Sequence, residues 1–371
     1  MTPSIQTPPE RSKPSQAGSG FHLGYSPALD GLRGLAVLAV LAVHLKLPFS
    51  QRGAMGVDIF FALSGFLITV LLAGEWQRNR SIRLIEFYKR RLLRLYPALL
   101  FMLLLVSFIT PAREYIVSSL FYFTNWVIAL KIRPLNLELG HTWTLAIEEQ
   151  YYLLWPPFLL FLLKRLPPRK VVFFPLALAA ISLILRIASW STIHDFWRYN
   201  AGTDMHADGL LLGSALGLAA AFGLLPKSER FRKALWAATL IAAASMLYVC
   251  VINPQSDGFF AIIGVAGMAV TTLLTISQLV IYPSKGLKRI FEFKPLVKIG
   301  MISYGLYLWQ VPILNLINLK ALGLNNTLSI VVYTVLIFAF TIFSYRYVEK
   351  PVQRLRGKLA ALPRAAAADI P

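Results

Sequence analysis

Cysteine is nearly missing from this sequence. Cys250, inside an apolar run, is the one cysteine in 371 residues, which excludes a disulfide framework, a CxxC redox pair and a thiolate metal site. No metal centre is expected. Charge is scarce too: Asp, Glu, Lys and Arg make up 15% of the chain against 57% hydrophobic residues. With a mean hydropathy of +0.61 the chain is too apolar for an ordinary soluble domain. Acidic residues are the scarcer sign, 17 against 37 Lys and Arg, for a formal charge of +20. That excess does not point to nucleic acid, because the basic residues cluster in short loops between apolar segments, as cytoplasmic loops of membrane proteins do. Internal repeats and inverted half-to-half symmetry are not evident either, which disfavours a secondary transporter.

What the sequence has in abundance is apolar runs. A spanning helix needs roughly 20 apolar residues, and runs of this kind lie near 29–48, 55–74, 95–111, 142–163, 171–190, 205–225, 234–252, 259–282, 296–318 and 328–348. The expected fold is therefore all-α, a polytopic membrane protein of about ten transmembrane helices. One further piece, 114–130 ("EYIVSSLFYFTNWVIAL"), is short and ends near polar residues. If it crossed, "KRLPPRK", "PKSERFRK" and "SKGLKRIFEFK" would fall outside; if it is re-entrant or interfacial, all three fall inside with the strongly basic "EWQRNRSIRLIEFYKRRLLR". The second arrangement is expected, with both termini cytoplasmic and the protein in the inner (cytoplasmic) membrane. Residues 1–28, rich in Pro, Ser and Gly, read as a disordered cytoplasmic tail. Residues 29–351 form the membrane domain and 352–371 a basic, alanine-rich tail. The run at 35–45 also looks like the core of a cleaved signal peptide, a reading that the many later spans disfavour.

Polar residues within the apolar runs carry the functional signal. In "LRGLAVLAVLAVHL", Arg33 and His44 are 11 positions apart, about three helical turns plus 20°, with a rise of about 16 Å. They share a face at different depths, where ionisable side chains usually line a cavity. A snorkelling anchor for Arg33 and a packing role for His44 are the alternatives. In "HTWTLAIEEQYYLLWP", Glu148 and Glu149 are expected at about the depth of His44. One of them would there hold the imidazole in one tautomer and strengthen it as a base; an acidic helix start is the alternative. Asp58, Asp204, His206 and Asp208 begin outer ends of helices and either line the same vestibule or cap those helices. Arg90, Arg91 and Arg94 stand at the mouth of the third span, spaced to grip phosphate oxygens or to mark topology and touch anionic lipid.

The same stretches, with "GVDIFFALSGFLIT", "FYKRRLLRLYPALL", "ISYGLYLWQVPI" and "YRYVEKP", resemble the integral-membrane acyltransferase 3 family, in order and over residues 29 to about 351. The resemblance implies ten spanning helices, acyl-CoA (acetyl-CoA by default) as cytosolic co-substrate, and O-acylation of a hydroxylated acceptor. That acceptor is a glycan, a lipid-linked sugar or a secreted small molecule. Carried over by position, His44 is the catalytic histidine and Arg33 its motif partner, with Arg91 and Arg94 on the donor side. From the residues themselves come Glu148 or Glu149 beside His44, Arg33 and Arg90 among the donor-binding arginines, and Asp58, Asp204, Asp208 and Gln310 as acceptor-binding candidates. Gln310 departs from the family, since many relatives carry histidine there. Acceptor chemistry is expected in the membrane domain or a partner. The alternative function is transport of a lipid-linked sugar or similar polar solute through the same cavity.

Overall fold

The computed structural model describes residues 21, 23–48, 50, 52–110, 112–251, 260–319 and 324–354. The tails expected at 1–28 and 352–371 lie mostly outside the described residues, at 1–20 and 355–371. Among the described residues every regular element is helical. In chain order these are α1 (Pro27–His44), α2 (Gly56–Asn79), α3 (Leu84–Ser107), α4 (Arg113–Leu120), α5 (Thr124–Ala129), α6 (Trp143–Arg165), α7 (Pro168–Val171), α8 (Phe173–Ile193) and α9 (Phe196–Ala201). There follow α10 (Thr203–His206), α11 (Asp208–Ala221), α12 (Glu229–Val251), α13 (Val265–Ile276), α14 (Lys285–Phe291), α15 (Lys294–Met301), α16 (Ser303–Leu316) and α17 (Asn326–Ser344).

Among the described residues six stretches are long and apolar enough to cross a membrane: Pro27–His44, Gly53–Asn79, Pro168–Ile193, Glu229–Cys250, Ile262–Ile281 and Asn326–Arg354. The protein is thus a multi-pass membrane protein, but six, not ten, of the expected runs meet the criterion. The shortfall has a physical cause in each case. Helix α3 opens on the basic "LIEFYKRRLLR", α6 carries Glu148 and Glu149 and ends on Lys164 and Arg165, α11 has 14 residues, and the run at 296–318 breaks between α15 and α16 at Ile302. The segment 114–130 forms α4 and α5, of 8 and 6 residues. At about 1.5 Å per residue neither reaches across a hydrocarbon core of about 30 Å.

Without a hydrophobic driving force between helices in lipid, packing rests on close approach of backbones, and glycines provide it here. A Cβ at Gly65 would lie 1.9 Å from the Leu210 carbonyl oxygen, and one at Gly213 2.2 Å from that of Ala62, so α2 and α11 meet backbone to backbone. In the same way Gly300 on α15 sits where a Cβ would be 1.7 Å from the Asp30 carbonyl. That contact pins the first half of α1. The outer helices do the reverse: only 6% of the window in Glu229–Cys250 is buried, against 72% for the stretch containing α2, and Leu240, Ile241 and Leu247 project outward as lipid-facing residues.

Candidate active site

Two cavities lie along the axis shared by α1, α2, α6 and α16. One, of about 420 Å³, is lined by Asp30, Arg33, Ser64, Arg91, Arg94, Glu148, Tyr152, Ser303 and Tyr304 among others. The second, of about 500 Å³, is lined by His44, Lys46, Arg52, Asp58, His141, His206, Trp143, Trp197 and the amides Asn136, Asn200 and Asn315. The order of lining residues fixes the direction of each helix. Helix α1 runs from Asp30 and Arg33 in the arginine-lined cavity to His44 in the histidine-lined one, and α16 runs the same way, from Ser303 to Asn315. Helices α2 (Asp58, then Ser64) and α6 (Trp143, then Glu148) run oppositely.

Within the arginine-lined cavity the guanidinium groups are individually placed. Arg33 pairs with Asp30 one turn earlier at 3.3 Å. Arg91 lies 3.4 Å from Glu149 and stacks over the Tyr152 ring, 3.2 Å from its centroid. Arg94, one turn on, is exposed along the same cavity. Glu148 accepts hydrogen bonds from the Ser64 hydroxyl and, at 3.1 Å, from the Tyr152 hydroxyl. Three arginines against Asp30, Glu148 and Glu149, two of these already paired, leave a fork-shaped donor set suited to phosphate oxygens.

In the second cavity three histidines gather. Nδ1 of His44 is 2.8 Å from the Val40 carbonyl oxygen and must donate to it, so in the neutral ring the free lone pair is on Nε2. His141 is buried and donates through Nε2 to the Leu308 carbonyl at 3.1 Å. His206 stands between two acceptors, the Asn200 carbonyl at 2.6 Å and the Asp58 carboxylate at 2.8 Å. One proton is therefore shared along the Asp58–His206 contact, and the pair is internally satisfied. Trp143 and Trp197 offer apolar faces beside three side-chain amides, a mixture suited to the faces and hydroxyls of a sugar.

Several expected placements need correction. Neither Glu148 nor Glu149 reaches His44, since both are committed on the arginine side. The 3₁₀ turn Gly140–Thr142 precedes α6, so His141, Trp143 and Thr144 stand beside the histidine-lined cavity and the glutamates lie more than a turn deeper. Asp204 is held by Arg198 (2.7 and 2.9 Å) and Asp208 by Arg186 (2.7 and 3.0 Å), and neither is among the described residues lining the two cavities. Gln310, fully buried, donates to the Tyr307 carbonyl of its own helix and is likewise absent from both linings. Arg90 is exposed and absent from them too. Sequence reasoning passed over His141, although it opens the very segment that carries the glutamates, and over Ser64, Tyr152, Thr144 and Tyr307. Among the described residues no group of three His, Cys, Asp or Glu is arranged to hold a metal ion.

A family model described as an acyltransferase domain, that of acyltransferase 3, matches residues 26–346, and the chain belongs to that family. The chain is 35% identical over 356 residues to the peptidoglycan O-acetyltransferase OatA of Listeria monocytogenes serovar 1/2a, covering 89% of this chain and 56% of the relative. It is 34% identical over 367 residues to the O-acetyltransferase OatA of Staphylococcus aureus strain NCTC 8325, covering 92% and 59%. The chain thus spans less than three-fifths of the length of these relatives. No solved structure matches it.

Proposed function

We propose that this chain is a membrane O-acyltransferase that takes an acyl group, acetyl by default, from acyl-CoA in the arginine-lined cavity and delivers it to a hydroxyl of a glycan in the histidine-lined cavity. The observation that carries the proposal is the pair of adjoining cavities with opposite chemistry, one suited to phosphates and the other holding an available imidazole among tryptophans and amides. Arg91 and Arg94 grip the phosphates and Arg33 guides the pantetheine arm. Asp30 and Glu149 hold Arg33 and Arg91 in place, and Glu148, bonded to Ser64 and Tyr152, adds a negative charge that offsets the arginines' mutual repulsion. His44 Nε2 removes the acceptor hydroxyl proton as the oxygen attacks the thioester carbonyl; the carbon–oxygen bond forms, the carbon–sulfur bond breaks, and the CoA thiolate departs into the arginine-lined cavity.

The positive-inside reading supports a cytoplasmic opening for the arginine-lined cavity, with both termini cytoplasmic in the inner membrane. Because α2 and α6 run the same way, α3 is the one crossing between them, and α4 and α5 make no net crossing. This supports ten spans: the six apolar ones plus α3, α6, α11 and α15–α16, which cross inside protein. On this reading residues 29–351 are the membrane domain flanked by cytoplasmic tails. Peptidoglycan is the first acceptor to try, since one relative is named for it.

The test is acyl transfer by the purified full chain in proteoliposomes, with acetyl-CoA as donor and soluble peptidoglycan fragments as acceptor. His44→Ala is expected to lower turnover about 10²- to 10⁴-fold, the usual worth of a general base, while CoA binding and folding persist. Wild-type turnover in a well-folded His44→Ala protein would remove the mechanism. A wild-type protein that cleaves no thioester would remove the donor.

A further inference from the structure

The two cavities share part of their lining. Val57, Thr144 and Tyr307 border both, so at these residues the partition is one side chain thick. The three come from three different helices and are nevertheless buried, at 8%, 3% and 7% exposure, Val57 and Tyr307 belonging to the same apolar core. Tyr307 is held from two directions. Its hydroxyl donates to the His141 carbonyl at 2.9 Å and lies 2.6 Å from the Thr144 hydroxyl. The Thr144 hydroxyl lies 3.3 Å from the same carbonyl, so the two hydroxyls share that acceptor and are bonded to each other. At their far ends the cavities reach exposed side chains, Tyr25 and Arg94 on one, Lys46 and Leu137 on the other.

Resting on the function proposed above, we infer that Val57, Thr144 and Tyr307 form the wall through which the acyl group reaches the acceptor, and that this wall selects short acyl chains. The arginines and His44 stand on opposite sides of it. An acyl group carried on a donor anchored at Arg91 and Arg94 meets a nucleophile activated by His44 only across these side chains. A two-carbon acyl group requires a small displacement of Val57. Each added methylene must either widen the gap further or project into the space the acceptor occupies, and one methylene in a closed apolar site commonly discriminates about 10- to 200-fold. Val57 is the adjustable part of the wall, because Tyr307 and Thr144 are tied to each other and to the backbone of the turn before α6.

Two measurements on the full chain test this. The first compares cleavage of acetyl-CoA and butyryl-CoA by wild type and by Val57→Ala, which trims the wall but leaves the Tyr307–Thr144 hydrogen bond intact. The butyryl-to-acetyl ratio of kcat/KM is expected to rise at least about tenfold, with CoA binding unchanged; an unchanged ratio in an active Val57→Ala protein overturns the inference. The second does not depend on the donor: Val57→Cys in a Cys250→Ser background, in sealed vesicles of either orientation, is treated with a membrane-impermeant methanethiosulfonate. Reaction from both sides supports a shared wall at this position, and reaction from one side or neither overturns it. If wild type cleaves no acyl-CoA, the donor reading fails while the labelling result still decides the wall.

Discussion

Asp208 separates a structural reading from a substrate-binding one most sharply. Its carboxylate accepts two hydrogen bonds from Arg186, at 3.0 and 2.7 Å, and the guanidinium also donates to the Met205 carbonyl at 2.9 Å. Both side chains are almost inaccessible, at 1% and 2%. Asp208→Asn keeps the shape but removes the charge that compensates Arg186, and breaking a buried pair from one side costs about 3–5 kcal/mol. Against a typical total stability of about 5–15 kcal/mol that is a large loss. At about 2 °C per kcal/mol for a large chain, the unfolding midpoint should fall on the order of 6–10 °C. The assay is thermal unfolding of the purified protein in detergent, read beside CoA binding. Replacing both partners with apolar residues, Arg186→Met with Asp208→Leu, should recover most of the loss, since the uncompensated charge disappears with its partner. A stable Asp208→Asn protein that has lost acceptor turnover would refute the reasoning and return Asp208 to the substrate.

The donor side predicts that Arg91→Gln with Arg94→Gln lowers CoA affinity by more than tenfold in equilibrium binding, two charge-assisted contacts being lost, while expression is unchanged. Tyr152 should divide by substitution: Tyr152→Phe keeps the ring under Arg91 and nearly full CoA affinity, whereas Tyr152→Leu loosens the guanidinium and weakens CoA binding by about 2- to 30-fold, the range of a cation–π contact. For the scaffold, Gly213→Leu should depress folded yield and thermal stability, by about 1–3 kcal/mol or more, because its Cβ would meet the Ala62 carbonyl at 2.2 Å. Gly286→Leu, with nothing within 4 Å of its Cβ, should be near neutral.

Much of this site was legible from where ionisable residues interrupt apolar runs. The 11-residue spacing placed Arg33 and His44 on one face at two depths, and the structure puts them in two cavities stacked along α1. The short, polar-ended piece at 114–130 forms the two brief helices α4 and α5. Depth on α6 was misread, because the distance of a side chain from the membrane surface depends on where its helix begins, and a 3₁₀ turn with no clear sequence mark occupies the first positions. Partner choice was the other gap. Asp204 and Asp208 are bound by Arg198 and Arg186, and nothing in local sequence pairs an arginine in the middle of α8 with an aspartate 22 positions later.

The helices that fall short of a simple span criterion are largely those that line the cavities, and the same physics accounts for both facts. Helices α3, α6 and α16 contribute Arg91, Arg94, Glu148, Tyr152, Tyr304 and Tyr307 to the linings, and each polar group lowers the apolar run that would mark the helix as lipid-soluble. Such groups are tolerated at depth because each has a partner or faces a cavity, and because a surrounding layer keeps them from lipid. That layer includes the stretch Glu229–Cys250, with 6% of its window buried, and Asn326–Arg354, with 22%. Helices α1 and α2 are the informative exceptions, lining both cavities while remaining apolar enough to qualify as spans. They do so with few, widely spaced polar residues, Asp30, Arg33 and His44 on one and Asp58 and Ser64 on the other. In this fold a low hydropathy therefore marks helices that carry polar groups into the interior, whereas a strongly apolar helix stands on either side, as the buried Gly53–Asn79 and the outward-facing Glu229–Cys250 show.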